Sequence, residues 1–98
     1  MEKQRRFVVE NQIAARGVRD PNVLEAMSSV PRECFVADDL RDRAYEDTPL
    51  PIGEGQTISQ PFIVAYMIEA AHIAPGALVL EVGAGCGYAA AVMSRIAM

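Results

Sequence analysis

Residues 3–16 are a run of good helix formers in which Phe7, Val8, Ile13 and Ala14 are available for one apolar face. Gly17 follows, in the position where a left-handed C-terminal cap is commonly glycine, so the pattern predicts a helix ending at Arg16. Asp20-Pro21 supplies a capping carboxylate and a proline at the first helical position. Val23, Leu24 and Met27 then fall at helical spacing, and Pro31 closes a second, shorter helix. The stretch 33–47 is charge-rich, with Phe35, Val36, Leu40 and Tyr45 as anchors, and reads as short helical turns and loop. Pro49, Pro51, Gly53 and Gly55 next punctuate Leu50, Ile52, Thr57 and Ile58, a pattern of short extended segments around a tight turn. Ser59 or Gln60 can cap a third helix that starts at Pro61 and places Val64, Met67, Ile68 and Ala71 on one face. After Pro75-Gly76 comes Ala77-Leu78-Val79-Leu80-Glu81-Val82, of strand length and almost wholly apolar, as expected of a strand buried on both faces of a parallel sheet. Gly83-Ala84-Gly85-Cys86-Gly87 leads into an alanine-rich helix start at Tyr88 that runs to Met98 without a cap.

This order defines an α/β chain: an amino-terminal helical and hairpin segment, residues 1–60, and the first strand-loop-helix unit of a Rossmann-like domain, residues 61–98. The 98 residues are 51% apolar and 22% charged, ordinary for one folded unit with one core. A net charge of -4 argues against a phosphate-backbone binder, which depends on clustered cations. No apolar run approaches the roughly 20 residues of a membrane span, and Phe7-Val8-Val9 is followed at once by Glu10, so no signal-peptide apolar region is present. These features predict a soluble, cytoplasmic protein. Cys34 and Cys86 lie far apart without a CxxC, and His72 is the single histidine, so neither a zinc site nor a disulfide framework is indicated.

The strand, glycine loop and helix look like the first turn of a nucleotide-binding α/β fold, where ligands sit beyond the carboxyl ends of the strands. A phosphate-cradling P-loop would require Gly-Lys-Ser/Thr, which does not follow. A dinucleotide fingerprint fails at Tyr88 when counted from Gly83. Counted from Gly85 it gives a formal G-x-G-x-x-A match that begins well past the strand end, leaving a nicotinamide-dependent oxidoreductase as an alternative. The register that fits the strand end is Glu81-x-Gly83-x-Gly85-x-Gly87, which resembles the first motif of the S-adenosylmethionine-dependent methyltransferases. An acid there suits a cofactor with a cationic, amino-acid-like end and no phosphate. The plainer reading is a tight strand-to-helix turn in which Glu81 caps neighbouring backbone.

A second motif is Pro49-Leu50-Pro51-Ile52-Gly53-Glu54-Gly55-Gln56-Thr57-Ile58-Ser59-Gln60-Pro61. It is joined by Gln12-Ile13-Ala14-Ala15-Arg16-Gly17-Val18, by Asp20-Pro21, by Val30-Pro31-Arg32 with Phe35-Val36, and by Ala44-Tyr45 with Asp47. Together they resemble, in collinear order, the amino-terminal half of the protein-L-isoaspartate O-methyltransferase family. The resemblance implies an enzyme that uses S-adenosyl-L-methionine to esterify the free carboxylate of L-isoaspartyl, and less efficiently D-aspartyl, residues in damaged proteins and peptides. It casts Ser59 as the active-site residue. It assigns cofactor contacts to Gln56, Thr57, Ile58 and Ser59 and, in the glycine loop, to Glu81, Gly83, Ala84, Gly85 and Gly87. Cys86 departs from the small hydroxyl residues common in the family, and a thiol is a poorer hydrogen-bond donor. The implied partners are isoaspartyl-containing proteins, with no metal, nucleic acid or membrane.

The chemistry explains the lack of a strong base. A carboxylate with a pKa of about 4 is already ionised at neutral pH, so Ser59 is better suited to orienting it than to nucleophilic attack, and no histidine stands near in sequence to activate the serine. The competing role for Ser59 is a helix N-cap ahead of Pro61. His72 reads as a surface residue, Lys3-Gln4-Arg5-Arg6 beside Glu2 and Glu10 as a solvated helix face, and Met27, Met67 and Met93 as core filler. One recognisable βα unit cannot build a doubly wound sheet, since each further βαβ unit adds about 30 residues. The chain therefore reads as a truncated or amino-terminal portion of such an enzyme, and a noncatalytic module is the other alternative.

Overall fold

The computed structural model describes residues 1–53, 55–75 and 85–97. The strand expected at 77–82, with Glu81, and the loop residues Gly83 and Ala84 lie outside the described residues. The chain begins with a continuous helical run: α1 (Glu2–Val8), a π-helical segment (Val9–Ile13) and a 3₁₀ turn (Ala14–Arg16). The wider π turn, with its i→i+5 pairing, brings Ile13 onto the inward face with Val8 and Val9. Phe7, expected on that face, is left 56% exposed. Gly17, at φ 108°, ends the run in the left-handed region that an L side chain avoids. The Val18 amide donates to the Ile13 carbonyl and the Gly17 amide to that of Ala14, which is the Schellman pattern, and the buried Val18 completes it.

Helix α2 (Pro21–Ser29) starts as its sequence dictates: Asp20 accepts from the Asn22 amide at 2.9 Å and proline occupies the first turn. Two 3₁₀ turns (Arg32–Phe35 and Asp38–Arg43) follow, and their anchors Phe35, Val36, Leu40 and Tyr45 all reach the core. Strands β1 (Leu50–Gly53) and β2 (Gln56–Ile58) pair antiparallel, with Leu50 opposite Ile58 and an irregularity between Pro51 and Gly53. Gly53 and Gly55, at φ 99° and 73°, supply the turn that the glycine spacing predicts. Helix α3 (Pro61–Ala70) and helix α4 (Tyr88–Ser94) complete the described elements.

Helix α2 packs against the π segment, α3 and α4, and a single apolar cluster runs through all of them. Val64, Ala65 and Ile68 form the inward face of α3, while Met67, expected in the core, is 62% exposed and Ala71 is exposed as well. Positions 67 and 71 stack one turn apart on the flank of the helix, beside its buried face. Met27 is buried as expected, and Met93 is partly so.

Two polar ties hold the helices in place. The Glu69 carboxylate of α3 accepts from the backbone amides of Arg19 and Asp20, at 2.7 and 2.8 Å, and so serves two donors ahead of α2 that no helical bond reaches. The Tyr45 hydroxyl accepts from Arg5 Nε and from the Arg32 amide, both at 2.9 Å, and donates to Glu33, which also pairs with Arg5 at 3.3 Å. Arg5 is therefore not on a solvated face: its partners come from 23 to 40 positions along the chain. Among the described residues no helix is long and apolar enough to cross a membrane.

Candidate functional site

The hairpin delivers Thr57, Ile58 and Ser59 to a cavity of about 400 Å³ that Gly85 and Cys86 also line. Val64, Met67 and Ile68 of α3, with Ala71 just after it, make one wall, and Tyr88, Ala89 and Met93 of α4 make the other. The two motifs, separated in sequence by a whole helix and the 76–84 segment, thus meet across a space of the size that takes small organic ligands. The walls are apolar and thioether-rich. The polar side chains in the lining are those of Thr57, Ser59, Cys86 and Tyr88.

Local sequence explains the glycine side of the lining. Gly85 and Gly87 both have positive φ, 59° and 87°, so the chain turns sharply into α4 without a Cβ. A Cβ on Gly85 would stand 3.5 Å from Ile52 Cδ1, ordinary contact, so the backbone conformation rather than space demands glycine there. That approach also sets the glycine loop directly against β1.

Ser59 is exposed and precedes the helix cap rather than forming it. The cap residue is Gln60, no side-chain cap bond is made, and Gln60 Nε2 donates instead to Asp47 at 3.1 Å. Asp47 also receives both terminal nitrogens of Arg16, whose guanidinium lies 5.6 Å from the Phe62 ring centroid. The Arg16 hydrogen bond is the main reason the Asp47 carboxyl is held below its usual range. The segment ahead of α3 is thereby pinned on one side while the Ser59 hydroxyl is not engaged as a cap.

Thr57, Ile58, Ser59 and Gly85 are the expected site residues that line the cavity. Gln56 belongs to β2 and Gly87 begins the turn into α4, but neither lines it. Glu81, Gly83 and Ala84 lie outside the described residues. Met67 and Met93 line the cavity where the sequence suggested core filling; helical spacing shows which residues share a face, not that the face overlooks a void. His72 is exposed, off this cavity, with φ 53°.

Below the glycine loop lies a feature with no counterpart in the sequence reading. Tyr88, 2% exposed, is the first residue of α4; its ring meets the Phe35 ring edge-on at 5.6 Å and its hydroxyl approaches Met27 Sδ at 3.9 Å. Arg32 is fully buried, donates from Nε to the Ala44 carbonyl at 2.6 Å and holds its guanidinium 5.1 Å from the Tyr88 ring centroid. Burial pushes the Tyr88 hydroxyl up to about 12, against the opposing pull of Arg32, and pulls the guanidinium below its ordinary value.

A helical and hairpin segment that leads through a glycine turn into a helix is the opening part of an α/β methyltransferase fold. A solved structure titled protein-L-isoaspartate O-methyltransferase superposes on 98% of this chain with a TM-score of 0.79 and 34% identity, the match covering 30% of that chain. Curated relatives of the same name include one from Synechococcus sp. (strain JA-2-3B'a(2-13)), 62% identical over 96% of this chain, and one from Methylorubrum extorquens (strain PA1), 66% identical over 91%. The chain spans 38% and 39% of their respective lengths. The family model described as protein-L-isoaspartate(D-aspartate) O-methyltransferase matches residues 3–98, and the chain belongs to that family.

Proposed function

We propose that this chain serves methyl transfer from S-adenosyl-L-methionine to the free carboxylate of L-isoaspartyl, and D-aspartyl, residues in damaged cytoplasmic proteins, the first step of their repair. The observation that carries the reading is the cavity itself: Thr57, Ile58 and Ser59 line it together with Gly85 and Cys86. Its volume of about 400 Å³, its apolar walls and its Cβ-free backbone edge fit a nucleoside-like body, and the hydroxyls in the lining fit the polar end. The cofactor, when bound, supplies an electrophilic methyl group on a sulfonium centre. Residues 1–60 contribute the hairpin and Ser59 to the substrate side, and residues 61–98 contribute the glycine loop, including Glu81, Gly83 and Ala84.

The task left to the chain is positioning. An ionised carboxylate attacks without losing a proton, so Ser59 donates a hydrogen bond that fixes one oxygen and aims the other. Holding two reacting centres in line is worth on the order of 7–11 kcal/mol. Calorimetric titration with S-adenosylhomocysteine, beside a nicotinamide dinucleotide, tests the reading. Saturable binding of the former alone, followed by methyl incorporation into an isoaspartyl peptide, supports it. Binding of the dinucleotide alone replaces it with an oxidoreductase, and binding of neither leaves a noncatalytic module.

A further inference from the structure

Among the described residues Arg32 stands out as the one charged residue in the buried set, and its two terminal amino groups have no hydrogen-bond partner there. A buried guanidinium in this condition is costly, and cores usually pair such groups or replace them with apolar side chains. The cost is offset at two points: the Nε bond to the Ala44 carbonyl, and the face of the Tyr88 ring at 5.1 Å. A cation over an aromatic face is held most strongly when both are removed from water, as they are here. The Arg32 backbone is fixed as well, by the Tyr45 hydroxyl. Tyr88, in turn, is the first residue of α4, three positions after Gly85 and two after Cys86.

We infer that Arg32 is a positioning residue for the glycine loop: by holding the Tyr88 ring from below, it sets Gly85 and Cys86 in the cavity lining they share with Thr57–Ser59. A side chain that only filled space there would be better replaced by methionine or leucine. An arginine fixed at both its backbone and its Nε instead gives the ring one defined seat. The role of the loop in cofactor binding rests on the methyltransferase reading; its placement by Arg32 does not.

The test uses Cys86 as a reporter, in chains carrying Cys34→Ser so that the exposed second thiol is silent. The rate of Cys86 reaction with 5,5′-dithiobis(2-nitrobenzoate) reads how often the loop leaves its seat. Arg32→Met raises that rate about tenfold, while the melting temperature changes by no more than about 3 °C, because the lost contacts are balanced by removal of a buried unpaired charge. Arg32→Lys keeps a cation over the ring without the Nε fork and falls between. Tyr88→Leu, which keeps the apolar volume, accelerates labelling as Arg32→Met does and stands in for it if that variant does not fold. Labelling at the parent rate in Arg32→Lys and Tyr88→Leu overturns the inference, as does acceleration only in proportion to a fall in melting temperature. S-adenosylhomocysteine titration runs beside it, with about tenfold weaker binding expected for Arg32→Met. A parent chain that fails to bind removes the cofactor-binding role given to this loop, while the labelling ratios still decide the role of Arg32.

Discussion

Replacing Tyr45 with phenylalanine removes one oxygen and breaks three hydrogen bonds. The hydroxyl accepts from Arg5 Nε and the Arg32 amide and donates to Glu33, and the side chains of Arg5 and Glu33 are only 13% and 16% exposed. A bond to a charged group contributes about 1.5–3 kcal/mol and a neutral one about 1 kcal/mol where solvent cannot replace the partner. Partial access of water to Arg5 and Glu33, and their surviving ion pair at 3.3 Å, recover part of the loss, which puts the net destabilisation at about 2–3 kcal/mol. For a domain of this size that corresponds to a fall of about 8–24 °C in melting temperature. The pH dependence gives a second readout. Burial alone would raise the Glu33 carboxyl, but the Tyr45 hydroxyl, the Glu33 backbone bond and Arg5 outweigh it and hold the group below its ordinary value. Its contribution to stability is therefore present above the unfolded carboxyl pKa of about 4.3 and is lost as pH falls through the folded value. In Tyr45→Phe the largest of these depressing influences is gone, so less stability is lost on acidification. Urea denaturation at pH 7 and at a series of pH values down to 3 measures both. A pH 7 loss below about 0.5 kcal/mol, or an acid limb unchanged in the variant, would refute the network as a source of stability.

Gly17→Ala meets no atom within 4 Å, so its cost is conformational, about 1–2 kcal/mol for a left-handed non-glycine residue; a thermal melt at the parent temperature would show that the Schellman turn can relax. Glu69→Ala strips the acceptor from the Arg19 and Asp20 amides and is expected to cost about 2 kcal/mol by denaturant titration, with α2 losing amide-exchange protection first. Ser59→Ala is expected to lower turnover on an isoaspartyl peptide by about tenfold or more, while S-adenosylhomocysteine affinity changes less than about threefold. Unchanged turnover removes Ser59 from the site.

The helices were legible because their punctuation is local. Gly17, Pro21, Pro31 and Pro61 act through their own backbones and Asp20 through a side chain that reaches only two residues on, and each does in the structure what its chemistry dictates. The hairpin was legible for the same reason, through Gly53 and Gly55. What stayed hidden depends on partners distant in sequence. Arg5 sits among charged neighbours that suggest solvent, yet it is fixed by Ser28, Glu33 and Tyr45. Met67 has the spacing of a core residue but lines a cavity, since periodicity assigns a face without saying what lies opposite. Of the cavity lining, Thr57, Ile58, Ser59 and Gly85 belong to the motifs, whereas the walls from α3 and α4 follow only from packing. Arg32 was visible in Val30-Pro31-Arg32, but nothing local reveals that its guanidinium goes inward.

The Glu69 tie also bears on how the chain is made. The amides it serves precede it by 50 and 49 positions. A ribosome adding about 5–20 residues per second therefore takes roughly 3–10 s to supply the acceptor after those amides have been synthesised. Until then the start of α2 has Asp20 alone to steady it, and the π-helical segment and α2 lack the α3 surface against which they pack. The nascent amino-terminal helices thus wait with apolar residues such as Ile13 and Val23 uncovered, a window in which a ribosome-associated chaperone has something to hold.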